Sequence, residues 1–72
     1  MTNTERLKAK IAASGRTKKY LADQLGITYQ GFYLKLTGKN EFIASEIQKL
    51  TKLLDIPDEE VKGIFFAEIV DK

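Results

Sequence analysis

Apolar residues recur along this chain at intervals of three and four, and short polar stretches with glycine or proline separate the runs. That spacing predicts amphipathic helices. Thr2 and Glu5 have the spacing of a capping box. A first helix is predicted to open there, bury Leu7 and Ile11, and stop at Gly15. Thr17 is set to cap a second helix that turns Leu21 and Leu25 inward and ends at Gly26. Thr28 is set to cap a third, with Phe32 and Leu36 inward and Gly38 as its close. After the loop Lys39-Asn40-Glu41-Phe42, a fourth helix is predicted from about Ala44 to Leu54, burying Ile47, Leu50 and Leu54. Ser45 with Gln48 offers a second capping box if that helix starts one turn later. Asp55-Ile56-Pro57 breaks the pattern. Asp58-Glu59-Glu60 then place acids on the first turn of a short fifth helix, which Gly63 interrupts. The tail from Ile64 reads as a last helical turn, an edge strand or an extended arm, and is expected to be mobile from about residue 67. Phe65-Phe66 reads as core or as a hold for a second chain. No β-hairpin signal is present, so the expected fold class is all-α: a small bundle of about five short helices in one domain of 72 residues.

The second and third predicted helices have the composition of a helix-turn-helix. Two helices that meet at a sharp turn need a small residue where their backbones approach, and Ala22 stands there. They need a residue that accepts positive φ in the turn, and Gly26 follows four positions on. Leu21, Leu25, Ile27 and Phe32 supply the apolar positions around both. An ordinary helical hairpin with a glycine turn requires fewer of these agreements.

Charge adds direction to this picture. Residues 1–40 carry eight basic side chains against two acids, a balance of +6, whereas residues 41–72 carry four lysines against eight acids, a balance of −4. The basic half is the helix-turn-helix half, which points to a polyanion or an acidic protein surface as partner. Lys18 and Lys19 open the second helix, where backbone amides already favour a phosphate, and Lys39 follows the third. Arg16 extends the field, and these four are the expected contacts to phosphates or to an acidic partner.

Other chemistry is excluded more readily. Cysteine and histidine are both absent, which removes disulfides, thiolate metal sites and the commonest general base. Asp58-Glu59-Glu60 are adjacent and suit a helix terminus better than a metal cage. With no glycine-rich phosphate loop and no nucleophile–base pair, the expectation is no enzyme, no cofactor, no metal and no small-molecule substrate. The first ten residues lack a signal-peptide core. No apolar run approaches the roughly 20 residues that span a bilayer, so a cytoplasmic protein without a membrane partner is expected.

The third helix carries the surface of interest. At 100° per residue, Gln30, Leu34 and Thr37 fall about 140–200° from the inward Phe32, with Tyr29 and Tyr33 on the flank at about 60° and 100°. Lys35 lies on the opposite flank. The presented face is therefore Tyr29, Gln30, Tyr33, Leu34 and Thr37, and Phe42 and Ile43 are candidates to enlarge it. Both Tyr29 and Phe42 have an alternative place in the domain's own core. Base readout relies on Arg or Lys for guanine and Asn or Gln for adenine, and here only Gln30 is suited to it. Tyrosine and uncharged apolar anchors instead resemble the centre of a protein interface.

The run LADQLGIT, residues 21–28, resembles the motif of the Cro and repressor family of phage helix-turn-helix proteins. FYLKLTGKNEFIASEIQKL, with Phe65-Phe66 beyond it, is similar to small Cro-like regulators of phages that infect Gram-positive bacteria. The resemblance spans about residues 5–66. It extends to the antirepressors among those regulators, and so implies a part in the lysis–lysogeny switch of a bacterial host cell through binding of the phage repressor. Many family members cap the fourth helix with Thr or Ser. Here that position is Ile43, so either the helix starts later or Ile43 is kept for a contact.

Two expectations follow. In the first, the chain is an antirepressor that grips the N-terminal DNA-binding domain of the phage repressor through the third helix. In the second, it is a Cro-like repressor that binds operator DNA directly, as a dimer, and a joint complex of both proteins on DNA is compatible with either.

Overall fold

Asn3, one residue later than expected, begins the first helix. Its Oδ1 accepts the Arg6 amide at 3.1 Å, so the cap is an asparagine cap and Thr2 takes no part. Asparagine caps as well as threonine does, and its own amide is already engaged: Asn3 N–H donates to the Ile64 carbonyl at 2.6 Å. A tertiary contact thereby holds the residue that caps the helix.

The computed structural model describes residues 1–67. It is an all-α globule of five helices: α1 (Thr4–Ser14), α2 (Lys18–Leu25), α3 (Tyr29–Leu36), α4 (Ala44–Leu53) and α5 (Asp58–Phe65). No strand occurs among the described residues. Helix α2 packs against α3 and α4, and α1 packs against α5 and α3. None of these helices is long and apolar enough to cross a membrane.

The helix ends follow the local chemistry of the sequence. Thr17 Oγ1 accepts the Tyr20 amide at 3.0 Å, and Thr28 Oγ1 accepts the Gly31 amide at 3.0 Å. At the other end of α2, Gly26 takes φ 75°, and its amide reaches the Asp23 carbonyl while that of Ile27 reaches Ala22, both at 3.1 Å. This pairing is a Schellman stop, which needs a left-handed residue that glycine adopts without steric penalty. The same pairing ends α3, with Gly38 at φ 86°, its amide on Lys35 and that of Lys39 on Leu34.

One core joins all five helices. Leu7, Leu21, Phe32, Leu36, Leu50 and Ile64 are fully buried within it. Phe42 stands edge-on between Phe32 and Phe65, with ring centroids 6.1 and 6.0 Å away. Such edge-to-face pairs add to simple area burial. Phe65 is therefore core, whereas Phe66 is exposed, which divides a pair expected to act together. Of the tail readings, a last helical turn holds for Ile64 and Phe65. The expected mobility beyond about residue 67 lies outside the described residues.

Gly63 does not interrupt α5, which runs through it to Phe65. The Arg6 side chain packs over this glycine, and an added Cβ would come within 2.5 Å of Nη1. Gly63 is thus a packing residue. In an Arg6→Ala background, Gly63→Ala should raise stability by about 1 kcal/mol, the helix-propensity difference; in the native background the gain should be smaller, because the guanidinium must move. Urea denaturation of the single and double variants checks this.

Candidate functional site

The short turn Gly26-Ile27-Thr28 fixes how α3 leaves α2. Ile27 packs on the core edge and the Thr28 cap sets the first turn of α3. With Phe32 and Leu36 buried, most of the opposite side of α3 is open to solvent. Tyr29 and Tyr33 are each 52 % exposed, and Gln30 and Thr37 are exposed as well. Tyr29 therefore belongs to the surface. Leu34 is only half-buried, at the edge of that face, and its carbonyl is occupied by Thr37 Oγ1 at 2.8 Å and by the Lys39 amide. The Thr37 hydroxyl proton is thus used in ending the helix.

The surface extension expected at Phe42 and Ile43 divides. Phe42 is 7 % exposed and belongs to the core, because the aromatic gap between Phe32 and Phe65 takes it in. Ile43 is 59 % exposed and stands at the start of α4. The later start offered by Ser45 and Gln48 does not occur.

The charge arrangement beside α3 is less legible from sequence. Lys35, the only charged residue of α3, turns away from the exposed face. Its Nζ lies 3.1 Å from Glu46 Oε1 and donates to the Glu41 carbonyl at 3.0 Å, with the Phe42 ring centroid 5.8 Å away. The same Glu46 oxygen accepts the Ile43 amide at 3.0 Å. Glu46 is 7 % exposed, and sequence reasoning missed it. The available signal was its place three residues after Ile43, the position of the acid in a capping box whose first residue here has no acceptor. One ion pair thus ties the end of α3, the connecting loop and the start of α4.

The remaining cations differ in how they are engaged. Lys18 and Lys39 are exposed, and no ion pair among the described residues involves either. Lys19 pairs with Asp23 at 3.4 Å on a solvated surface, a contact too weak to hold it from another anion. Arg16 is built into the fold: its Nε donates to the Leu53 carbonyl at 3.1 Å, and its guanidinium sits 5.2 Å from the centre of the Tyr20 ring. Lys8, Arg16 and Lys18 nevertheless rim one open depression of about 410 Å³ between the end of α1 and the start of α2.

Comparison of the chain with protein-family models, curated proteins and solved structures finds no match. The functional reading therefore rests on the chemistry of this surface and on the resemblance carried by the sequence motif.

Proposed function

We propose that this protein is a phage genetic-switch regulator of the antirepressor, or modulator-of-repression, kind. In this reading α2 and α3 form a helix-turn-helix whose α3 face grips the DNA-binding domain of the phage repressor. Occupying the repressor's own recognition surface withdraws it from its operator by mass action. The observation that carries the reading is the uncharged face of α3. Its one cation is tied to Glu46, which leaves Tyr29, Gln30, Tyr33 and the edge of Leu34 for contact. Aromatic residues without charge suit the desolvated centre of a protein interface. The identity of the partner comes from the resemblance to Cro-like regulators.

A Cro-like repressor that binds operator DNA is the second reading. The exposed Lys18 and Lys39 at either end of the helix pair favour it, as does the basic depression beside Lys18. Titration against the repressor's N-terminal domain and, separately, against operator duplex at near-physiological salt distinguishes the two. Tight repressor binding with weak, salt-sensitive DNA affinity supports the antirepressor. Salt-tolerant, sequence-specific binding to the duplex alone replaces it with the Cro-like reading.

Tyr33→Ala should weaken repressor binding about tenfold or more while leaving the melting temperature nearly unchanged, because half of this ring is in solvent. Calorimetric titration and circular dichroism on the same sample check both halves of that statement.

A further inference from the structure

Ile43 occupies the N-cap position of α4, where Ser, Thr, Asp or Asn normally supplies an oxygen to a backbone amide. Isoleucine has no acceptor, and no side-chain cap forms. The helix starts there nonetheless, because Glu46 Oε1 holds the Ile43 amide at 3.0 Å and is itself held by Lys35 at 3.1 Å. The reciprocal half of a capping box therefore does the local work alone. The Ile43 side chain lies outside the buried core and is 59 % exposed. For stability this is the wrong residue twice over, since it forgoes a cap and leaves apolar surface in water.

We propose that Ile43 is an apolar anchor of the α3 surface that inserts into an apolar pocket on the repressor's DNA-binding domain, an inference that rests on the antirepressor reading. The shared Glu46 oxygen links the Ile43 amide to the Lys35 ammonium at the end of α3 and neutralises that ammonium. A phosphate backbone at this place would call for that cation to be free. Its withdrawal, next to an exposed isoleucine, matches an uncharged protein surface instead. The Lys35–Glu46 pair is then the positioning element, and Ile43 the contact.

The test compares the native protein with Ile43→Thr and Ile43→Val, measuring melting temperature and affinity for the repressor's N-terminal domain. Threonine keeps β-branching and adds the missing cap, so it should raise the melting temperature by about 4 °C. It should also weaken binding by about tenfold or more, because it replaces an apolar anchor with a hydroxyl. Ile43→Val should keep affinity within about threefold, since it stays apolar and loses only a methylene. A structural role predicts a lower melting temperature for Ile43→Thr, and that result overturns the proposal. Unchanged affinity of Ile43→Thr for a repressor domain that the native protein binds overturns the anchor and leaves the antirepressor standing. Failure of the native protein to bind the domain overturns both. Specific operator binding by the native protein that Ile43→Thr weakens would assign the residue to DNA and also overturn the anchor.

Discussion

Phe32→Ala is expected to abolish the cooperative fold or nearly so. Phe32 is fully buried at the middle of α3, and its ring meets Phe42, which in turn meets Phe65 of α5. Truncation removes one end of this edge-to-face row and opens a cavity in the core. Large-to-small changes of this kind cost about 3–5 kcal/mol. A chain of this length has roughly 4–11 kcal/mol of stability in total, at about 0.05–0.15 kcal/mol per residue. The loss is thus a large fraction of what holds the domain together. Urea denaturation followed by circular dichroism should show a midpoint far below the native one, or no folded baseline. Phe32→Leu, which fills most of the space, should cost less than about 1.5 kcal/mol. A small effect of alanine would mean that the row of rings does not organise the core.

Glu46→Ala should cost about 2–3 kcal/mol. The side chains of Glu46 and its partner Lys35 are 9 % and 15 % exposed, so removal of the acid strands an ammonium in a poorly solvated place and frees the Ile43 amide. Breaking a fully buried pair from one side costs about 3–5 kcal/mol. The figure here is set lower because the lysine stem lets its charge swing outward to water. Lys35→Met should be destabilising too, since it leaves the acid without its counter-ion. The double variant Lys35→Met with Glu46→Met should recover much of the loss, because an apolar pair needs no desolvation offset. A double-mutant cycle reads this coupling directly. Additive losses would show that the two side chains act independently.

Much of the backbone is legible in the spacing of residues along the chain. The glycine stops of α2 and α3 and the Thr17 and Thr28 caps rest on contacts within five residues, which sequence spacing encodes. The inward faces of α2, α3 and α4 follow from helical period alone. The exposed face of α3 follows from the same period, and Tyr29 and Tyr33 are on it. Asn3 in place of Thr2, and the continuity of α5 through Gly63, are not legible in this way. Each depends on a contact between α1 and α5, the Ile64 carbonyl in one case and Arg6 in the other.

By itself, then, the sequence determined the order of five helices, most of their ends, and the uncharged character of the α3 face. These are properties of short-range hydrogen bonding and of apolar period. Only the tertiary structure decided that Phe42 fills the core while Ile43 stays outside, that Phe65 and Phe66 part company, and that Arg16 braces a carbonyl 37 residues away. It also decided that Lys35 is committed to Glu46. The physical reason is the same throughout: a side chain that chooses between solvent, core and counter-ion is choosing among partners that the chain brings near only once the helices have packed.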